Sequence, residues 1–176
     1  MEPTSGGGMD VQNEMSVTHI WTRINKRWLL AGAVSAIWAG IVVMLVATIG
    51  ASGKLGEWSQ PLKLIGATFF GGDATAYGPL GAAGMAGVLV HLGLSTLYGL
   101  VFAQLVHEES SRGALVILGL VTSFIIWIFG CQLFLPSFDI TLKLMMPTRI
   151  GLFLHLFFGL SFGFFLGRLR PIFLRR

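Results

Sequence analysis

Residues Gly151–Leu169 read GLFLHLFFGLSFGFFLGRL, with no charge before Arg168. Crossing a bilayer core takes about 20 apolar residues in helical conformation, and this stretch is that long. Its glycines fall at 151, 159 and 163, and again at 167, with His155 filling the one gap in the series. Residues four apart share a helix face. The stretch is therefore read as a membrane-spanning helix with one face of minimal side chains, broken by a single imidazole. The rest is bulky: Phe153, Phe157, Phe158, Phe162, Phe164 and Phe165. These are expected to face lipid or fill side grooves.

The same frame occurs upstream. Gly87–Leu105 reads GVLVHLGLSTLYGLVFAQL, and laid onto the first stretch it matches Gly87 to Gly151, His91 to His155 and Gly99 to Gly163. Its small-residue stripe is Ala83, Gly87, Ser95, Gly99 and Ala103, again with the histidine inside it. Small residues at this spacing let two backbones approach closely in lipid. The expectation is that spans two and four form a tight central pair along these stripes, flanked by spans one and three. One stripe could instead meet a helix of another protein. Span one carries shorter runs, Gly32–Ala36–Gly40 and Ala31–Ser35–Ala39, and span three only Gly119–Ser123.

The whole chain supports this reading. Of 176 residues, 54% are hydrophobic and 11% charged, whereas a soluble domain is about one quarter charged. Four stretches suffice to span: Trp28–Gly50, Gly84–Val106, Ala114–Leu135 and Ile150–Leu169. In lipid the backbone must satisfy its own hydrogen bonds, so these are helices, and the fold class is an all-α membrane protein of four transmembrane helices. The first span is too long for a cleavable signal core and follows a polar tail, so it reads as an uncleaved signal-anchor. The single cysteine, Cys131, allows no internal disulfide.

Charge sets the expected topology. Arg23, Lys26, Arg27, Arg112, Arg168, Arg170, Arg175 and Arg176 fall on one side, and Lys54, Lys63, Lys143 and Arg149 on the other. Basic flanks stay cytoplasmic, so both termini are expected inside. Residues 1–27 form a polar tail with a basic end, disordered over Met1–Met15. His107–Gly113 is a tight hairpin that should make spans two and three antiparallel neighbours. Segments 60–72 and 136–148 are too short to span and are read as interfacial or partly re-entrant. Each carries Leu-Lys-Leu, at Leu62–Leu64 and Leu142–Leu144. Trp58 and Tyr77 suit an interface, and Asp73 and Asp139 read as solvated carboxylates. Each half then runs helix, outer amphipathic piece, histidine-bearing helix, which is a parallel 2+2 internal repeat.

The two histidines carry the only chemical signal in the spans. An ionisable ring within a membrane is a functional candidate by default, and several readings stand side by side. A neutral imidazole can bond a carbonyl or a hydroxyl such as Ser95 or Ser161. His91 and His155 can be axial ligands of a b-type haem, although closed glycine seams leave no slot for a flat ring. A soft metal such as copper could use Cys131, Met85 or the loop residues Met145 and Met146. Conduction of protons or a small solute is the last. There is no HExxH, no Gly-x-Ser-x-Gly and no phosphate-binding loop ending in lysine, so no catalytic residue is expected.

From Gly84 to Pro171 the chain resembles the YagU-like family of small bacterial inner-membrane proteins. The resemblance rests on HLGLSTLYGLVFA (His91–Ala103), a short charged hairpin, a glycine-bearing helix, LPSFD (Leu135–Asp139) and HLFFGLSFG (His155–Gly163) before a basic end. It implies four helices in a bacterial inner membrane and no reaction. The expectation is a multi-pass inner-membrane protein that is no enzyme. It serves as an accessory subunit of a larger membrane complex, respiratory or photosynthetic. Its partners are lipid and other membrane subunits or a second copy, with no nucleic acid. A haem carrier and a small channel or transporter are the alternatives.

Overall fold

A computed structural model describes residues 25–76, 78–134, 137, 144 and 146–175. The tail 1–24, Tyr77, Arg176 and most of 135–145 lie outside the described residues. With them lie the expectations for Met1–Met15, Arg23, Asp139, Lys143 and Met145, and most of the second interfacial segment.

Every described element is helical. Helix α1 (Lys26–Leu55) is capped by the Asn25 side chain, which accepts from the Arg27 and Trp28 amides, and it ends at Gly56 in the left-handed region. Helix α2 (Gln60–Phe70) starts with Pro61 in its first turn, where the missing N–H costs nothing. A 3-10 turn (Gly72–Thr75) leads to α3 (Gly81–Leu105). Helix α4 (Arg112–Ile126) is capped by Ser111, which accepts from the Ala114 amide. It continues as a π-helical segment, Trp127–Phe134. Helix α5 runs Thr148–Leu174 and carries Pro171 through its last turn. Helices α1, α3, α4 with its π segment, and α5 are each long and apolar enough to cross a membrane. This supports a multi-pass membrane protein.

The expected central pair is corrected. Close packing joins α1 to α3, α1 to α5, and α4 to α5. Spans one and four are therefore central, and spans two and three flank them. Burial follows: 44% of the apolar window of α1 and 33% of that of α5 are covered, against 22% for α3 and 17% for the α4 span.

Both long stripes are indeed buried faces, since Ala83, Gly87, Ser95, Gly99, Ala103, Gly151, Gly159, Gly163 and Gly167 are all covered, but they do not meet each other. A Cβ on Gly99 would lie 2.3 Å from the Gly32 carbonyl oxygen and 2.7 Å from the Ala36 Cβ. One on Gly159 would lie 2.3 Å from the Gly119 oxygen and 2.7 Å from Ser123 Oγ, and one on Gly163 2.5 Å from the Val116 Cα. The short runs of spans one and three thus meet the stripes at Gly99 and Gly159, while Gly163 packs on the Leu115–Val116 backbone and Gly87 on that of Leu62 in α2. A glycine in the stripe is enough for backbone contact, because a larger partner can turn its side chain away. Where α3 approaches α5 it presents Tyr98 and Phe102, and α5 presents Phe158 and Phe162, which pack mainly edge to face with centroids 4.8 to 5.0 Å apart. Phe162 is fully buried in the core with Leu115 and Leu166, not turned to lipid.

The hairpin neighbours are also corrected. Helices α3 and α4 are not packed side by side. The Tyr98 hydroxyl spans the gap, 2.6 Å from Thr122 Oγ1 and 3.3 Å from the Gly119 carbonyl oxygen to which it donates.

Candidate functional site

The four spans converge on the two imidazoles. His91 of α3 donates from Nε2 to the Gly40 carbonyl of α1 at 3.0 Å. A Cβ on Gly40 would stand 2.6 Å from Ser95 Oγ and 3.5 Å from that ring nitrogen, so glycine there makes room for the contact. Ser95 Oγ donates to the carbonyl of His91 itself at 2.8 Å. His155 of α5 donates from Nδ1 to the Gly151 carbonyl at 2.8 Å. Its Nε2 faces Cys131 Sγ of the π-helical segment at 3.6 Å. A carbonyl can only accept, so the two partners assign opposite tautomers: Nε2–H on His91 and Nδ1–H on His155. Each ring is partly buried in the bundle against its own partners.

Of the candidates read from sequence, His155 and Cys131 come together while His91 meets Gly40, with Gly151 and Ser95 supplying contacts. Gly87, Gly99, Gly159, Gly163 and Gly167 set the approach of their helices to the groups packed against them. Met85 is half exposed on the outer side of α3, six residues before His91, and the grouping of Met85 with the histidines is dropped. Met146 takes a place sequence spacing did not favour. Its sulfur, like the Trp127 indole nitrogen, lies about one atomic contact (3.4 and 3.5 Å) from where a Gly151 Cβ would stand. Gly40, Trp127 and Tyr98 were missed. A tyrosine among leucines was the available signal for the last, because a buried phenol hydroxyl needs a partner.

A second polar cluster lies beyond the ends of α1 and α3. Lys63, read as an interfacial charge, is only 3% exposed. It donates to the Glu57 carboxylate and to the carbonyls of Ala76 at 2.9 Å and Gly78 at 2.8 Å. Ser59 Oγ and the Gly78 amide also donate to Glu57. Helix α2 is clasped to the loop behind it and pressed onto α3, where a Cβ on Gly66 would meet the Ala83 oxygen at 1.9 Å.

Hydrogen bonds from Lys63 and then Ser59 hold the Glu57 carboxyl below the ordinary value of 4.5, outweighing desolvation; the Gly78 amide and the Lys63 charge add to the lowering. A lowered folded value means the clasp is complete above the ordinary carboxylate range and is lost as pH falls through the lower folded value. The expected result is a step in Trp58 emission in acid, well below neutrality, that is missing in Glu57→Gln. An identical acid step in that variant would refute the assignment.

At the opposite end, Trp28 Nε1 donates to the Val106 carbonyl at 2.9 Å, and Asn25 bonds Glu108. Arg170 donates to the carbonyls of Glu108 at 2.9 Å and Ser110 at 2.6 Å. These bonds latch the start of α1, the hairpin and the end of α5 together.

Among the described residues no three His, Cys, Asp or Glu side chains group as a metal site. Comparison with family models, curated proteins and solved structures finds no match for this chain. The likeness to the YagU-like group therefore rests on the short motifs alone.

Proposed function

We propose that the protein is a non-catalytic accessory subunit of a larger assembly in a bacterial inner membrane, with both termini cytoplasmic. The observation that supports it most is that both helix-pair seams are closed at backbone contact. Six polar side chains of the spans, His91, Ser95, Thr96, Tyr98, Thr122 and His155, have partners inside the bundle, while Ser35 Oγ and Trp127 Nε1 are buried without one. Such seams favour a packing element over a conduit. What the protein offers outward is a wide apolar circumference. The α4 span is the barest side, with Ile117, Val121, Phe124 and Ile125 exposed.

Native mass spectrometry from mild detergent tests this. The expected species is a complex heavier than the chain, with a co-purifying subunit. A lone monomer would sink the reading. Topology reporters fused at the C-terminus and inserted beside Trp58 should report opposite sides, as the eight-to-four division of basic residues requires.

The parallel repeat belongs to the same proposal. In its favour, each histidine-bearing helix packs its aligned glycine, Gly99 or Gly163, on the span that precedes it. The symmetry is broken where α1 meets α5 closely while α3 reaches α4 through the Tyr98 hydroxyl without close helix packing. The haem alternative is not favoured, because the His91 Nε2 that would ligate iron donates instead to Gly40. A Soret band in the purified protein would restore it.

A further inference from the structure

We propose that Cys131 and His155, with the Met146 thioether as third donor, form a binding site for one cuprous ion. This goes beyond the subunit reading and does not depend on it.

The carbonyl of Gly151 fixes the proton of His155 on Nδ1, so the Nε2 lone pair is the atom turned toward Cys131 Sγ. A hydrogen bond from the other ring nitrogen to a carbonyl is the usual way a ligating imidazole is oriented. The sulfur and nitrogen are 3.6 Å apart. With bonds of about 2.3 Å to sulfur and about 2.0 Å to nitrogen, as for zinc, that separation subtends roughly 115° at a metal. This is close to trigonal and leaves one position open. The Met146 sulfur lies beside Gly151, whose carbonyl holds the ring. The π-helical coil of Trp127–Phe134 brings Cys131 to this point, and such coils in otherwise α-helical spans gather at functional positions.

The choice of metal follows from charge and softness. Thiolate and thioether donors select a soft ion. Binding breaks the Cys131 S–H bond and forms Cu–S and Cu–N bonds, and the proton leaves to solvent. The product, one positive ion on one thiolate, is neutral, as a low-dielectric bilayer demands. A zinc ion would keep one uncompensated charge there. It would also want four donors, and the described residues supply no third His, Cys, Asp or Glu.

The test uses the purified full chain in detergent, without oxygen, titrated with Cu(I) against bicinchoninate as a competing chelator. One equivalent is expected to bind, with X-ray absorption showing both sulfur and nitrogen neighbours. Cys131→Ser and His155→Gln should each weaken binding about 100-fold or more, while circular dichroism and gel filtration stay as in the parent. Met146→Leu should weaken it less. Excess Zn(II) should not displace the copper. Copper that binds equally well in Cys131→Ser, a first shell without sulfur, or ready displacement by Zn(II) would each overturn the proposal.

Discussion

Gly159→Leu is expected to part α4 from α5. The glycine sits where even a Cβ would come 2.3 Å from the Gly119 carbonyl oxygen and 2.7 Å from Ser123 Oγ. The first obstacle is backbone, which cannot swing aside as a side-chain end can. A leucine must push the two helices apart along the whole seam. Gly163, about one turn further along the helix, is hemmed in by the Leu115 oxygen and the Val116 Cα, so the seam has no slack nearby. Overfilling a packed interface typically costs about 1–3 kcal/mol and sometimes more. A rigid backbone obstacle belongs at the upper end, about 3 kcal/mol. Thermal unfolding in detergent should show the loss. The matched control is Gly93→Leu on the exposed side of α3, where a Cβ meets nothing within 4 Å, and it should change stability by less than about 0.5 kcal/mol. Equal stability of the two variants would mean the α4–α5 seam is not where the structure puts it.

The second large effect is local. Gly87→Leu should detach α2 while leaving the four-helix bundle standing. A Cβ at Gly87 would lie 1.9 Å from the Leu62 carbonyl oxygen, so α2 has to lift from α3. That movement also opens the Glu57–Lys63 clasp, because Lys63 stands in the first turns of the same helix. Hydrogen exchange across 60–70 should accelerate strongly, while amides in the buried middle of α5 keep their protection. Unchanged exchange at 60–70 would contradict the packing of α2 on α3. Exchange accelerated equally in α5 would show that α2 and the bundle are one cooperative unit.

The clasp also shows how far a linear pattern can be read. An isolated lysine among leucines, as in Leu62–Lys63–Leu64, looks the same whether its ammonium reaches water or is folded under a loop. The difference is made by Glu57, Ala76 and Gly78, and nothing in their spacing announces that they converge. The same holds for Cys131. Helical periodicity places it by 3.6 residues per turn, but the chain leaves that period at Trp127. Its approach to His155 depends on that wider coil.

What sequence alone determined is the set of helices and their buried faces. Run length against bilayer thickness fixes the four spans, and small residues at four-residue intervals mark the sides of α3 and α5 that end up covered. The pairing of those sides was decided only in three dimensions. A glycine stripe permits close approach but carries no address, because any helix with small residues can occupy it. The aromatic side chains of Tyr98, Phe102, Phe158 and Phe162 keep α3 and α5 at ring distance. The stripes then meet other backbones: Gly99 meets Gly32 and Gly87 meets Leu62, while Gly159 meets Gly119 and Gly163 meets the Leu115–Val116 backbone. Side-chain volume summed across four helices made that choice, and it is a property of the assembled bundle that no single helix contains.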